Sequence, residues 1–263
     1  MGQFIGEYFR DNIIIDNQAR AGWSTKGFLL ASDQNSDHNL NILNNPKNSR
    51  WKKVILPEIQ LGDYVIISSA INDKFQTSFD FYYEDSNGEY NKDESGNYVE
   101  VGKGKGKYSF YTWTSTTEEY RENLNVLIDD TLNKDAVPIL IGSTSYCSNA
   151  APYSYGSTKE YIQNMKTVAR EKNIVYLDGC GTYKRFIDDN GGYNKVAYMH
   201  HFTPENIAEL KKTGINIGTK WETKNSDTTH YNPSGAKYVA RMIVNLIKNS
   251  TSTLKQYIVD DII

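Results

Sequence analysis

One segment of the chain has residue types and a spacing that could support acid–base chemistry. Asp227 lies three residues before His230, which is one of only four histidines in 263 residues. A carboxylate beside an imidazole holds the ring in one tautomer and stabilises the imidazolium that forms when the ring accepts a proton. The pair therefore predicts the base half of a serine hydrolase, although a lone Asp-x-x-His also arises by chance in ordinary turns.

The elements around this pair alternate between strand and helix patterns. Continuous apolar, β-branched runs predict buried strands at four places: Asn12–Ile15, Tyr64–Ser69, Val137–Ile141 and Ile174–Leu177. Helical periodicity or capping motifs predict helices over 2–10, 51–59, from 115 or 116, from 157, over 182–189 and over 234–248. Strands separated by helices form a parallel sheet covered on both faces. The sequence thus predicts an α/β fold in three layers.

Two further residues could stabilise a developing negative charge. Gly22 ends a turn-like segment, where a glycine allows the backbone N–H to approach a ligand. Asn72 follows the strand Tyr64–Ser69, and its amide could donate to an oxyanion. In open α/β sheets, reactive groups gather at the carboxyl ends of the strands. Taken alone, Gly22 is equally consistent with a simple turn and Asn72 with an Asx turn.

Bulk properties exclude several classes of function. The net charge of −3 and the pI near 5.9 give no reason to expect nucleic acid as a partner. No apolar run is long enough to span a bilayer, and no signal-peptide pattern precedes the first helical pattern. Cys147 and Cys180 could form a bridge or stay free. The high tyrosine content suits sugar-binding loops, but tyrosine is also common in strands and on surfaces.

The chain is predicted to form a single domain over 1–263, with insertions at about 74–112 and 190–226. Neither insertion predicts a metal or phosphate site. The acidic residues of the first lack the spacing of a calcium loop. The Gly102–Gly106 run lacks the Gly-Lys-Ser/Thr of a phosphate loop. Adjacent histidines such as His200 and His201 point in different directions, so a shared metal is not expected. We therefore predict no metal and no cofactor.

Together these motifs resemble the SGNH/GDSL hydrolase superfamily. Asn17-x-Ala19-x-x-Gly22 looks like its second block, Ala70-Ile71-Asn72-Asp73 like its third, and Asp227-Thr228-Thr229-His230 like its fifth. The third block has Ala70 where glycine is usual. The branch most similar in sequence is the rhamnogalacturonan acetylesterase-like carbohydrate esterases. The further points of similarity are Arg50-Trp51, Gly62-Asp63-Tyr64-Val65, Glu119-Tyr120-x-x-Asn123-Leu124 and Gly235-Ala236.

The resemblance departs from the family at its first block, because no Gly-Asp-Ser occurs in the chain. Gly62-Asp63 is followed by Tyr64. The family's nucleophile precedes a helix that resembles Gly2–Phe9, so the strand before that helix, and its serine, are expected to be missing. That strand would lie between Asn12–Ile15 and Tyr64–Ser69. Three explanations stay open: a truncated reading frame or fragment, a degenerate relative, or a gap filled by a partner chain or by Tyr257–Ile263.

The resemblance implies a serine esterase that removes O-acetyl groups from a plant cell-wall polysaccharide such as rhamnogalacturonan (pectin) or xylan. It implies His230 as general base, Asp227 as its orienting carboxylate, and Gly22 and Asn72 as oxyanion donors, with no nucleophile in this chain. Ser68, Ser69, Ser143 and Ser145 are expected to be ordinary strand-end hydroxyls. The chain as written is therefore expected to be inactive.

Two alternatives to the esterase remain. One is a non-catalytic carbohydrate-binding relative with the same fold, and the other is a lipase or acylhydrolase of the superfamily. The expected partner is an acetylated polysaccharide or oligosaccharide, with no nucleic acid and no membrane. The resemblance also implies an extracellular location, since members of this branch are mostly exported.

Overall fold

A computed structural model describes residues 2–20, 23–30, 46–73, 115–144, 155–200, 208, 211–212 and 230–259. The first insertion at 74–112 and most of the second therefore lie outside the described residues. The contacts divide the chain into two compact units. Unit 1 comprises 1–19, 66–68 and 139–263, and unit 2 comprises 20–65 and 69–138. The single-domain organisation stays a prediction.

The regular elements follow the predicted alternation of strands and helices. The strands are β1 (Tyr64–Ser69), β2 (Val137–Gly142) and β3 (Val175–Leu177). The α-helices are α1 (Thr25–Leu30), α2 (Leu56–Glu58), α3 (Thr117–Leu132), α4 (Tyr155–Glu171), α5 (Gly179–Asp189), α6 (Tyr193–Val196) and α7 (Pro233–Lys248). Short 3-10 helices cover Ile5–Tyr8, Pro46–Asn48, Ala197–His200 and Thr253–Tyr257, and a π-helix covers Trp51–Ile55.

The sheet confirms the predicted α/β class. Its strand order is β1-β2-β3, and β2 runs parallel to β3 with Ile139 opposite Val175 and Ile141 opposite Leu177. Successive side chains of a strand point to opposite faces of the sheet. Ile139, Leu140 and Ile141 are all buried, so both faces of β2 are covered. This burial is what a three-layer α/β/α arrangement requires.

Helix α7 is the most strongly amphipathic of the unit 1 helices. Val239, Ile243 and Ile247 are fully buried along one face, as the sequence predicts. Tyr238 and Leu246, which were predicted on the same side, are only half-buried. In α4 the predicted inward residues Ile162, Met165 and Val168 are buried. The two helices thus contribute much of the apolar core of unit 1.

The predicted strand at Asn12–Ile15 is wrong. Residues 13–20 have no regular structure, and the Ile14 side chain is 92% exposed. Instead, Phe9 forms an antiparallel bridge with Ile258, Arg10 N donates to Tyr257 O (2.9 Å), and Val259 N donates to Tyr8 O (3.0 Å). A short β-branched run becomes a strand only where another strand offers it hydrogen bonds, and here the pairing falls on the residues before the run.

The predicted N-terminal helix over 2–10 forms a turn and a 3-10 helix over Ile5–Tyr8 instead of an α-helix. Two helix starts also differ from prediction. Helix α4 begins at Tyr155, before the start predicted at Ser157. Helix α5 begins at Gly179, three residues earlier than predicted, because the Asp178 side chain caps it by accepting from Gly181 N at 3.1 Å. An Asp before a glycine-rich turn is a favourable N-cap.

In unit 2, helix α3 is fixed at its start by a capping box. Thr116 Oγ1 accepts from Glu119 N (3.2 Å), and Glu119 Oε2 accepts from Thr116 N (2.8 Å). The second candidate box, Ser115-x-x-Glu118, is not used, because Ser115 is buried and lies outside the helix. The buried Trp51 donates its indole N–H to Asp130 at 2.7 Å, which joins the π-helix to α3.

Candidate active site

The segment that carries His230 lies immediately before α7 in unit 1. The His230 side chain is exposed. Two residues later, Asn232 caps α7, with its Oδ1 accepting from Gly235 N at 2.8 Å. A buried Asn at this position satisfies a helix donor that would otherwise lack a partner. The cap fixes the first residue of the helix, and so the point where the preceding segment with His230 ends.

Residues 198–200 hold this segment through backbone contacts. Asn232 N donates to Met199 O at 2.8 Å, and Asn232 Nδ2 donates to Tyr198 O at 2.6 Å. Gly235 packs directly on the Met199 carbonyl, where a Cβ would overlap the oxygen. A glycine is needed at position 235 because of this close approach. The two segments are far apart in sequence but are joined along their backbones.

His200 is the polar residue that the sequence analysis missed at this site. Its ring is 1% exposed, its Nδ1 lies 2.9 Å from His230 O, and its Nε2 lies 3.1 Å from Tyr183 Oη. The ring also stacks at a tilt on Tyr231, with 4.7 Å between centroids. Sequence analysis considered His200 only as a metal ligand, and no spacing in the sequence relates it to His230.

In unit 2, Asn72 lies just beyond the carboxyl end of β1, as predicted. Its Nδ2 donates to Trp23 O at 3.2 Å. Trp23 directly follows Gly22 in the sequence. A side-chain amide carries two hydrogens, so this bond uses one of them. The structure therefore brings Asn72 into contact with Trp23, the neighbour of Gly22, which is the other predicted oxyanion donor.

Asp73 secures the turn that presents Asn72. Its buried carboxylate accepts from Thr25 N (2.8 Å), from the Thr25 hydroxyl and from Ala70 N (3.2 Å). Ala70 has a φ of 98°, a conformation that costs energy for any residue with a Cβ. Glycine would adopt this conformation without strain.

Burial sets the electrostatics of Asp73. Desolvation is the largest effect and raises the pKa of the carboxyl to about 6, while the hydrogen bonds from Thr25 and Ala70 lower it. Removing a carboxylate from water disfavours its charged form, and donated hydrogen bonds favour it. Because the side chain is only 1% exposed, desolvation outweighs the three hydrogen bonds.

The other two predicted site residues, Gly22 and Asp227, lie outside the described residues. Asn72 belongs to unit 2 and His230 to unit 1. The meeting of Gly22, Asn72, Asp227 and His230 at one site therefore stays a prediction. Hydrogen bonds nevertheless hold the turn at Asn72 and the segment at His230, each within its own unit.

The hydroxyls considered as replacement nucleophiles have ordinary surroundings where they are described. Ser69 Oγ lies 2.9 Å from the buried Tyr120 Oη, and Ser68 is exposed on β1. Ser143 is half-buried, and Ser145 lies outside the described residues. Their role as ordinary strand-end hydroxyls stays a prediction.

Cys180, near the start of α5, is disulfide-bonded. The sequence contains one other cysteine, Cys147, which lies outside the described residues. Within the described ranges, no cluster of three or more His, Cys, Asp or Glu side chains could hold a metal ion. No helix in those ranges is both long and apolar enough to cross a bilayer.

A cavity of about 330 Å³ lies between α5 and α7. It is lined mainly by polar and charged side chains: Thr182, Arg185, Tyr238, Arg241, Asn245 and Asn249. None of the predicted site residues lines it, so its presence does not bear on the assignments of His230 or Asn72.

Comparison with known proteins supports the fold but names no family. No family model and no curated protein sequence matches the chain. Among solved structures, the chain is similar to protein YXIM of Bacillus subtilis, with a TM-score of 0.56 and 17% identity over 94% of this chain. The match covers 49% of that protein, so this chain spans about half its length.

A second similar structure is a variant of Axe2, an acetyl-xylooligosaccharide esterase from Geobacillus stearothermophilus. The TM-score is 0.44 at 16% identity, with 77% of this chain and 66% of that chain covered. At these identities, the comparisons establish a shared fold with YXIM and go no further. The parallel sheet and the similarity to YXIM confirm the α/β/α class deduced from the sequence.

Proposed function

We propose that this chain belongs to an SGNH-type serine esterase that removes O-acetyl groups from a plant cell-wall polysaccharide. In this proposal His230 is the general base and Asp227 orients it. The Gly22 backbone N–H and the Asn72 amide stabilise the oxyanion. No residue of this chain is assigned as the nucleophilic serine.

One observation carries the proposal: the hydrogen bond from Asn72 Nδ2 to Trp23 O at 3.2 Å. The motifs at Asn17–Gly22 and Ala70–Asp73 were selected separately, and 49 residues separate Trp23 from Asn72. An esterase of this type needs both motifs at one place, because both donate to the same oxyanion. The contact between Asn72 and Trp23, the residue after Gly22, supports this arrangement.

The buried network at Asp73 supports the same role. By accepting from Thr25 and Ala70, Asp73 ties the turn after β1 to the start of α1. Preorganised donors stabilise charge without reorganising during the reaction. A turn held by three hydrogen bonds to a buried carboxylate is suited to keeping the Asn72 amide in one orientation.

The reaction follows acyl-transfer chemistry. The serine Oγ attacks the acetyl carbonyl carbon while its proton passes to His230, and the carbonyl oxygen becomes an oxyanion held by Gly22 and Asn72. The oxyanion collapses, the bond to the sugar oxygen breaks, and His230 returns the proton to that oxygen. Water, deprotonated by His230, then attacks the acetyl carbon of the acyl-serine; the bond to serine Oγ breaks, acetic acid leaves, and His230 returns the proton to Oγ.

The substrate class rests on the sequence resemblance to rhamnogalacturonan acetylesterase-like enzymes. We assign an acetylated pectin or xylan oligosaccharide as the partner. The Axe2 title names an acetyl-xylooligosaccharide esterase, but the similarity to that structure is too low to support the assignment. Pectin and xylan fragments should therefore be compared directly.

The test uses the chain as it exists, labelled with ¹⁵N, and an O-acetylated xylo-oligosaccharide or pectic oligosaccharide as probe. We expect the acetylated probe to shift the Asn72 side-chain amide and the His230 backbone amide in NMR spectra. The same oligosaccharide after chemical deacetylation should shift them less. The variant Asn72→Ala should lose the difference between the two probes.

A parallel assay with p-nitrophenyl acetate tests the missing nucleophile. We expect no hydrolysis above the buffer rate. Turnover that is lost in His230→Ala would show a nucleophile within this chain and would contradict that part of the proposal. Equal NMR shifts with both probes would contradict the esterase and favour the non-catalytic carbohydrate-binding relative, for which the missing Gly-Asp-Ser is the supporting observation.

An extracellular location is part of the proposal, and the disulfide at Cys180 supports it. Disulfides persist in oxidising compartments and are rare in the reducing cytosol. Alkylation of the protein as isolated from its natural host, followed by intact-mass measurement, should show no alkylated cysteine. Labelling of both cysteines without added reductant would contradict this assignment.

A further inference from the structure

The segment that carries His230 is held by another histidine. We propose that His200 is a positioning residue for His230, with its ring held in the Nδ1–H tautomer by the backbone carbonyl of His230, which can only accept. The positioning role of His200 rests on the proposed role of His230 as the base. The tautomer and the backbone anchor do not depend on that role.

The Nδ1 contact shows which ring nitrogen of His200 carries a proton. His200 Nδ1 lies 2.9 Å from the backbone oxygen of His230. A carbonyl oxygen can only accept a hydrogen bond, so Nδ1 must carry a proton. The ring of one histidine therefore holds the main chain of the other.

The other ring nitrogen of His200, Nε2, contacts a tyrosine hydroxyl. Tyr183 Oη lies 3.1 Å from His200 Nε2, and Tyr183 is completely buried. When Nδ1 carries the single proton of a neutral imidazole, Nε2 offers a lone pair, and the phenol O–H donates to it. The His200 side chain is buried, and removing a charged imidazolium from water is costly, which favours the neutral ring.

The hydrogen bond from His200 to the His230 carbonyl anchors a part of the chain that no helix fixes. His230 lies outside α7, so the helix does not fix its backbone. The bonds from Asn232 to Met199 and Tyr198 fix the chain two residues later. The His200 bond acts on the His230 peptide group itself. Among the described contacts, this hydrogen bond therefore acts most directly on the position of the His230 backbone.

This arrangement matters because proton transfer depends on geometry. A general base must come within hydrogen-bond reach of the proton that it removes. A displacement of about 1 Å can cost on the order of 100-fold in rate. An exposed base on a short connecting segment needs such an anchor more than a base within a helix does.

The experiment uses the full chain labelled with ¹⁵N-histidine. Long-range ¹H–¹⁵N spectra distinguish a protonated from an unprotonated ring nitrogen, and the spectrum of His200→Asn assigns the His200 signals by their loss. We expect a protonated Nδ1 and an unprotonated Nε2 at neutral pH. Tyr183→Phe removes only a hydroxyl and leaves the His230 carbonyl in place, so Nδ1 should stay protonated in this variant.

Backbone ¹⁵N relaxation tests the anchor. In His200→Phe, the order parameters of the His230 and Tyr231 amides should fall from about 0.85 to below about 0.6. His200→Asn keeps an N–H donor near the position of Nδ1 and should retain most of the order. Met199→Leu is the matched control, since it changes a neighbouring buried side chain without removing a polar contact.

The outcomes separate this inference from the proposed function. A wild-type His200 with a protonated Nε2 and a bare Nδ1 would overturn it, as would unchanged order at His230 in His200→Phe. Loss of order in Met199→Leu to the same extent would also overturn it, by showing general loosening. A failed oligosaccharide test would remove the esterase and leave the tautomer and the anchor intact.

Discussion

The buried carboxylate of Asp73 should make the stability of the protein fall as the pH rises. Its pKa in the folded protein is about 6, against about 3.9 for an unperturbed Asp. Between these values the folded state retains a proton that the unfolded state has lost. Since stability falls with pH wherever the folded state binds more protons, the contribution is complete below about pH 4 and is lost as the pH rises through about 6.

The magnitude follows from the size of the shift. About two pKa units correspond to about 3 kcal/mol, of which about 2–3 kcal/mol should appear between pH 4 and pH 7. The variant Asp73→Asn cannot titrate at this position. Its amide group would also place an N–H against Ala70 N, which donates to the native carboxylate at 3.2 Å. The variant thus has a different absolute stability, but the informative quantity is how its difference from wild type changes with pH.

The assay is urea unfolding at several pH values and constant ionic strength, followed by the fluorescence of the four tryptophans. The free energy of unfolding of the wild type should decrease relative to that of Asp73→Asn by about 2–3 kcal/mol from pH 4 to pH 7. Thr25→Val removes one donor that lowers the pKa of Asp73, so it should move the pH dependence to higher pH. A wild-type-minus-Asn difference that stays flat across this range would refute the reasoning.

Two further predictions concern helix starts. Thr116→Ala removes the acceptor for Glu119 N and should lower the free energy of unfolding by about 1 kcal/mol in urea, while Thr116→Ser should restore most of it; equal stability of all three proteins would contradict the capping box. Gly235→Ala forces a Cβ onto the Met199 carbonyl and should lower the free energy of unfolding by about 1–3 kcal/mol in urea, whereas Ser234→Ala, an exposed position in the same turn, should have a much smaller effect; similar losses in both would argue against the close packing.

The oxyanion half of the candidate site was predictable from the sequence to a limited extent. Asn72 could be selected because it follows a continuous apolar strand, and a strand end is where α/β proteins place reactive groups. The role of Asp73 was not predictable. Its three donors come from Thr25 and Ala70, and a carboxylate in the sequence carries no indication of whether it will be buried.

The base half shows a similar division. His230 was selected from its spacing to Asp227, a local pattern that a sequence displays directly. His200 lies 30 residues away and acts on the main chain of His230. No residue-type pattern encodes a contact between a ring nitrogen and a distant carbonyl, so the three-dimensional arrangement was needed to find it.

The elements whose signals are local could be identified from the sequence. Strand β1 has the predicted bounds, and β2 and β3 differ from prediction by one residue, because continuous apolar runs specify strands. Of these three described strands, only β2 is buried along most of its length, as predicted for all three. The capping box at Thr116 and the apolar face of α7 likewise depend only on residues within a few positions of one another. Features that depend on distant partners required the three-dimensional arrangement: the described pairing of this region is between Phe9 and Ile258 and not at Asn12–Ile15. His200 and Asp73 likewise acquire their surroundings through burial and through donors and acceptors far away in the chain.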